Sequence, residues 1–331
     1  MFKKTLCWDE MDKTTISLIT LIEEYITTCR LEGKSPKTIR GYREKLLRFA
    51  RAADGTLADF NLPTVRSYIG SLQKARKFEG HPWHLVKNEP VSVMTVRNHV
   101  RVLTAFASWL EREEYTKTNL LAKLRAPKAP RKVMQTLTPE EISSMLACFN
   151  TNTATGCRNA TIVCLFLDTG LRCTELLQFN LPDLHLEDGW LKVMGKGQKE
   201  RIVPFGNRCA RLLQRYINHF RLKSNGTDIV FLNIEGEPLT ESAVASLFNR
   251  IARKANIPRL HIHLLRHTFA TNYLIGGGDS LTLQRILGHE TLEMTRRYVD
   301  QVASQVTVLK FRHSPVDRLV AQNGRRSRGW V

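Results

Sequence analysis

The chemistry in this chain is concentrated in two stretches. The first reads Thr169-Gly170-Leu171-Arg172-Cys173-Thr174-Glu175. The second begins His263-Leu264-Leu265-Arg266-His267, continues to Leu287-Gly288-His289 and reaches Tyr298. His289 follows Arg266 by 23 residues, and Tyr298 follows His289 by nine. Arginine offers a planar fork of donors suited to the non-bridging oxygens of a phosphate. A tyrosine set among cations can attack a phosphodiester and hold the product covalently. Its phenol ordinarily ionises near pH ~10, so neighbouring positive charge helps the phenolate develop. Glu175 reads as a buttress, because a carboxylate in direct contact with a phosphodiester would repel it.

Each of these residues alone has a plainer reading: an arginine paired with a carboxylate, a packed tyrosine, a surface histidine. Their joint occurrence in this order favours one phosphate-handling site assembled by folding. His261, His263 and His267 have a spacing that could suggest a metal cluster. No acidic or cysteine ligand stands beside them, and Arg266 would crowd a dication, so no metal site is expected. Lys196, in Gly195-Lys196-Gly197-Gln198-Lys199, sits at a Gly-rich turn between two short apolar runs. A flexible hairpin there can reach into a DNA groove and deliver a proton to a leaving oxygen, with Lys199 as a rival donor.

The elements that must position these groups are mostly helical. In residues 12–115, apolar residues at Leu18, Ile19, Ile22, Tyr25 and Ile26 form one helical stripe, which Gly33 stops. Ser35-Pro36 opens a second helix that places Ile39, Tyr42, Leu46 and Phe49 on one face. Lys37, Arg40, Arg43, Lys45, Arg48 and Arg51 project from much of the remainder. A third helix is predicted over 62–77, a loop over 78–92 and a fourth helix over 93–113. Residues 116–136, with six basic residues and two prolines among them, read as a basic linker.

Thr138-Pro139-Glu140-Glu141 is a capping-box opening for the second module, expected to span 137–310. Within it, Trp190–Met194 and Arg201–Phe205 read as a β-hairpin. Helices are predicted around 207–221, 240–255 and 266–275, with Asp279 or Ser280 capping a short one and Thr291 the one that carries Tyr298. Residues 311–331 read as a flexible basic tail.

At 331 residues, two domains are the natural expectation. The 50 Lys+Arg against 31 Asp+Glu give a formal charge of +19, which calls for a polyanionic partner. No apolar run approaches the ~20 residues of a membrane span, and residues 1–10 lack the apolar core of a signal peptide. Seven cysteines with no CxxC pair argue against a disulfide framework or zinc ribbon and fit a reducing cytoplasm. Nucleic acid in a cytoplasmic setting is therefore the expectation.

The runs TGLRCTEL, GKGQKERIVP, HLLRHTFAT, LGHE and TRRY resemble those of the tyrosine recombinases, the phage integrase family. The resemblance covers nearly the whole chain. It implies a mainly α protein: an N-terminal helical core-binding (SAM-like) bundle, then a mixed α/β, mostly helical catalytic domain with a small antiparallel sheet. It implies six catalytic positions, Arg172, Lys196, His263, Arg266, His289 and Tyr298, with Tyr298 as nucleophile. By resemblance Arg172 and Arg266 hold the phosphate, Lys196 is the acid to the 5′-oxygen, His263 assists proton transfer at the tyrosine and His289 donates to the phosphate.

No metal, ATP or other cofactor is implied. The implied partner is double-stranded DNA with inverted half-sites, bound by a homotetramer on two synapsed sites, with a paired second recombinase left open. Arg40, Arg43, Arg97 and Arg101 are candidate DNA contacts. A type IB topoisomerase-like relaxing enzyme and a non-catalytic DNA-binding protein of recombinase ancestry are the alternatives. The short segment before the first helix points to a simpler, Xer-like machine. Dimer resolution, transposon or element mobility and cassette integration all fit, and the target DNA sequence is not legible in the chain.

Overall fold

The computed structural model describes residues 13–53, 55–77, 87–128, 135–195, 199–222 and 226–310. Lys196, residues 129–134 of the basic linker and the tail 311–331 lie outside the described residues. The chain is mainly helical, with small antiparallel sheets, and separates into two compact units at 131/132.

The first unit is built on four helices: α1 (Leu18–Leu31), α2 (Pro36–Ala50), α3 (Leu62–Lys74) and α4 (Val93–Arg112). Each starts where a side chain can satisfy an orphan N–H. Ser17, Ser35, Asn61 and Ser92 accept from Ile19, Thr38, Thr64 and Thr95 respectively. The core is aromatic. Phe60 meets Phe49 and Phe106 edge-on at 5.5 and 5.2 Å, and Tyr25 lies 5.4 Å from both Phe106 and Trp109. Such pairs add roughly 0.5–1.5 kcal/mol each beyond their burial.

Ile19, placed in the α1 stripe by its spacing, is instead 56% exposed. Leu18, Leu21, Ile22, Tyr25, Ile26 and Cys29 fill the inward face, and Ile19 lies at its edge in the first turn. The stretch predicted as a loop over 78–92 holds part of a small sheet. Strand β1 (Arg76–Lys77) pairs antiparallel with β2 (Lys87–Pro90). Strands this short show no alternation to read.

His99 on α4 is 4% exposed, and its Nδ1 lies 3.1 Å from the Tyr68 hydroxyl. Burial, helped by the charges of Lys45 and Arg48, pushes its pKa down to about 4. A histidine depressed in the folded state is a better base when unfolded. Its contribution is therefore complete above pH ~6.5, falls as pH drops below that, and levels off below about 4. A loss on the order of 3 kcal/mol across this window is expected. Thermal melts from pH 7 to 4 check it: His99→Gln is expected to flatten the decline, and an unchanged slope would refute the assignment.

The second unit opens with α5 (Pro139–Ala147), capped by the reciprocal Thr138–Glu141 bonds at 3.2 and 2.9 Å that the sequence signalled. Helix α6 (Ala154–Thr169) runs through the centre, buried along most of its length and packed by α8 (Asn207–Arg215) and α10 (Ile262–Ile275). Short α7 (Cys173–Gln178) follows it directly. The hairpin pairs β4 (Trp190–Met194) with β5 (Glu200–Pro204), and β3 (Leu184–His185) adds a third strand at the β4 edge. That strand was not predicted, again because two residues carry no pattern.

Helices α9 (Glu241–Lys254), α11 (Ser280–Leu287) and α12 (Leu292–Lys310) complete the unit. Asp279 caps α11 through Leu281 and Thr282. Helix α10 starts at Ile262 rather than at Arg266, which puts His263 in its first turn. No helix among the described residues is long and apolar enough to cross a membrane.

Candidate active site

The turn from α6 into α7 is the first part of the site. Gly170 ends α6 at φ +60°, and a Cβ there would come within 2.5 Å of Phe269. Only glycine fits both the left-handed backbone and the space. Its carbonyl accepts from Arg266 Nη1 at 2.6 Å. Two residues on, Arg172 caps α7. Its backbone N–H donates to Glu175 Oε2 at 2.8 Å, and its Nη1 to Oε1 at 2.7 Å.

Glu175 is also clasped from the sheet. Arg201 on β5 donates Nη1 and Nη2 to the two carboxylate oxygens at 3.0 and 2.8 Å. Burial alone would push the Glu175 carboxyl up. The bonds from Arg201 and the Arg172 backbone, and the Arg201 charge, outweigh it and hold the group below the usual range. The carboxylate is therefore ionised at neutral pH and bridges two guanidinium groups, the buttress role its charge suggested.

The C-terminus of α11 supplies the rest of the scaffold. Three successive carbonyls there accept from three arginines: Ile286 from Arg201 Nε (2.8 Å), Leu287 from Arg266 Nη2 (2.8 Å) and Gly288 from Arg172 Nη2 (3.0 Å). Carbonyls at a helix end have no partner within the helix and carry its partial negative charge. They can gather three cations that would otherwise repel one another. Gly288 makes this possible by turning the chain at φ +61°. A Cβ at Gly288 would lie 2.9 Å from Arg201 Cζ. Gly288→Ala is therefore expected to destabilise this unit by at least the ~1–2 kcal/mol of a left-handed non-glycine residue. Thermal unfolding measures it, and a variant as stable as wild type would show that Arg201 has room to retreat.

Arg266 is 5% exposed. Burial, and then the charge of Arg172, bring its pKa down to about 10, which leaves it a cation at neutral pH. Tyr298 on α12 is 4% exposed, with Arg266 and Arg172 close enough to act on its phenol. Burial pushes that phenol up, and Arg266, Arg297 and Arg172 pull against it. The Tyr298 hydroxyl lies 2.8 Å from His267 Nδ1. The His289 ring is parallel to the phenol within 7° at a centroid distance of 6.2 Å. Its Nδ1 is 2.8 Å from the hydroxyl of fully buried Thr295. Burial, with Arg266 and Arg172, pushes His289 down to about 4, so it is neutral at physiological pH.

Of the six predicted positions, Arg172, Arg266, His289 and Tyr298 come together here. His263 is exposed in the first turn of α10, one turn before His267 and near enough to act on its charge. Lys196 lies outside the described residues. Sequence reasoning did not single out Arg201, Thr295 or the contact of His267 with the tyrosine. Arg201 did leave a signal: it shares a strand face with buried Val203. Among the described residues, no group of three or more His, Cys, Asp and Glu is arranged to hold a metal ion. In the first unit, Arg40 and Arg43 on α2 and Arg97 and Arg101 on α4 are all exposed. Arg43 is held by Glu23 at 2.7 Å.

Comparison with known proteins gives this arrangement a lineage. The phage integrase family matches residues 135–305. The chain is 31% identical over 296 residues to tyrosine recombinase XerD of Staphylococcus haemolyticus, covering 87% of this chain and 96% of the relative. It is 32% identical over 294 residues, with the same coverage, to XerD of Staphylococcus saprophyticus.

Among solved structures, the XerH site-specific recombinase bound to palindromic difH substrate superposes with a TM-score of 0.67 at 21% identity, over 88% of this chain and 83% of that one. The Tn1549 transposon integrase in complex with a circular intermediate DNA gives 0.68 at 19% identity, over 88% and 99%. These neighbours share the fold, and the sequence relatives share nearly their full length. The chain belongs to the phage integrase family and is a tyrosine recombinase.

Proposed function

We propose that this recombinase cuts and rejoins DNA through a 3′-phosphotyrosyl link to Tyr298, working as a homotetramer on two synapsed sites with inverted half-sites. The observation that carries this reading is the placement of the Tyr298 phenol beside Arg266 and Arg172, whose guanidinium groups are locked by backbone carbonyls and Glu175. Arginines fixed in this way stabilise the extra charge of a pentacoordinate phosphate without reorganising during the reaction.

Tyr298 attacks the scissile phosphate in line and expels a 5′-hydroxyl. Arg172 and Arg266 take the non-bridging oxygens. His289 donates to the phosphate through Nε2–H, the tautomer in which Nδ1 accepts from the Thr295 hydroxyl 2.8 Å away. Lys196 protonates the leaving oxygen. Protein cations do the electrostatic work that a metal ion does in other phosphoryl transfers, and the phosphotyrosyl bond conserves the energy for rejoining, so neither metal nor ATP is needed.

The core-binding unit at 12–115 and the catalytic unit at 137–310, with the basic linker 116–136 between them, act together on one duplex. Arg40, Arg97 and Arg101 contact it, and Arg43 does so once released from Glu23. Both structural neighbours described above carry DNA, which supports a duplex partner. The charge of +19 supports an affinity that falls steeply with salt, with a log–log slope of roughly −0.9 per phosphate contact. The proposed setting is the cytoplasm.

The test is covalent capture. The protein is incubated with a library of nicked, randomised duplexes and denatured. The adduct is mapped by mass spectrometry and the trapped DNA is sequenced. A DNA adduct on Tyr298 with a shared half-site is the expected result. Adducts without sequence preference would favour a relaxing enzyme, and DNA attached elsewhere or not at all would overturn the reading.

A further inference from the structure

We propose that His267 is the group that takes the proton from Tyr298 during DNA cleavage, across the 2.8 Å contact between the hydroxyl and Nδ1. The inference rests on the reading of Tyr298 as nucleophile and assigns its proton. The resemblance gave that task to His263, which is exposed at the head of α10. His267 is one turn further along the helix and touches the reacting oxygen itself.

With Tyr298 only 4% exposed, bulk water is poorly placed to receive the proton, so a protein group must do so. Arg266, Arg297 and Arg172, the cations that act on the phenol, have only donors to offer. A neutral imidazole does have an acceptor. Burial, then the charges of His263, His261 and Arg266, hold the His267 pKa below its ordinary value, so the ring is neutral at physiological pH and its Nδ1 lone pair is available. Packing of α10 against α12 fixes the pair, with ring centroids 5.6 Å apart and planes at 48°.

The step balances. The Oη–H bond breaks as Nδ1–H forms. Oη bonds to phosphorus, the P–O5′ bond breaks, and the leaving oxygen collects a proton from the acid assigned above to Lys196. The phosphate brings negative charge beside His267 and offsets the positive charge that the ring acquires. In rejoining, imidazolium returns the proton to the departing phenolate, so one residue is base in cleavage and acid in ligation.

The experiment uses the full chain and the half-site recovered by covalent capture, with cleavage followed in a single turnover. His267→Ala is expected to slow adduct formation by roughly 10²- to 10⁴-fold, the span of general base catalysis. His267→Asn, which keeps a polar atom in the space, is expected to melt like wild type and to be similarly slow. If the alanine variant does not fold, the asparagine variant carries the measurement.

One altered substrate and one altered nucleophile separate chemistry from structure. A 5′-bridging sulfur at the scissile phosphate needs no proton on leaving, and it is expected to leave the defect in place. A fluorotyrosine at position 298, whose phenol ionises more readily, is expected to recover much of the lost rate. A rate close to wild type in both variants would overturn the assignment, as would recovery with the sulfur substrate or none with fluorotyrosine. Wild-type protein that forms no adduct at Tyr298 would instead remove the nucleophile reading, and this inference with it.

Discussion

Tyr298→Phe is expected to abolish covalent capture of DNA while leaving the fold of the catalytic unit in place. The ring belongs to an apolar cluster with Ala270, Leu274, Leu283, Leu287 and Val302, and phenylalanine fills that space equally well. What disappears is one hydroxyl, held by His267 and by Arg266. Losing a hydrogen bond of that kind costs about 0.5–1.5 kcal/mol net, and the removed oxygen no longer needs desolvating. The thermal midpoint should therefore move little. The arginines that would hold the phosphate do not depend on the phenol, since Arg172 is tied to Glu175 and Gly288 and Arg266 to Gly170 and Leu287. DNA affinity at fixed salt should be close to wild type. Gel-based adduct detection, a melting curve and a binding isotherm on the same preparation check all three. Residual adduct in the phenylalanine variant would mean that another residue attacks.

How much of this site can be read from the residues depends on which groups do the holding. Helix starts at Ser35-Pro36 and Thr138-x-x-Glu141 are legible because a cap is a local bond between residues three apart. The four predicted positions that cluster are legible because side chains of these types could carry the proposed chemistry. The scaffold beneath them is not. Three of the four groups that orient Arg172 and Arg266 are backbone carbonyls, two of them at the end of α11, and a carbonyl has no residue identity to recognise. Arg201 is hidden for a related reason: its role is to share Glu175 across elements that are far apart in sequence.

The choice between His263 and His267 turns on where α10 begins and which of its faces meets α12, and a spacing of four residues leaves that open. The strands Arg76–Lys77 and Leu184–His185 are too short for alternation to reveal, so their pairing is a product of tertiary structure.

Arg266→Ala is expected to lower the single-turnover rate of strand cleavage by at least roughly 10²- to 10³-fold, the effect of removing a fixed donor from a developing oxyanion. The guanidinium has five N–H donors. One from each terminal nitrogen is held, by Gly170 at 2.6 Å and Leu287 at 2.8 Å, and the others can face the phenol and the phosphate. Alanine leaves both carbonyls without that donor in a buried place, at about 1–3 kcal/mol for each group left unsatisfied. Two effects work the other way. A cation that burial had pushed down to a pKa of about 10 no longer has to be desolvated, and its repulsion with Arg172 is gone.

Stability should therefore fall by less than the two carbonyls alone would suggest, while the chemistry falls in full. The phenol gives an independent signature. Burial raises the Tyr298 pKa and Arg266 is the largest influence opposing it, so without Arg266 the phenol becomes harder to ionise. The residual rate of the variant should continue to climb at alkaline pH where the wild-type rate has levelled. Arg266→Lys restores charge but not the fork that spans Gly170 and Leu287, and it should recover only part of the rate. Cleavage rates measured against pH, alongside melting curves for both variants, decide the matter. A variant that cleaves at the wild-type rate, or one whose pH profile is unmoved, would separate this arginine from the phosphate and from the tyrosine.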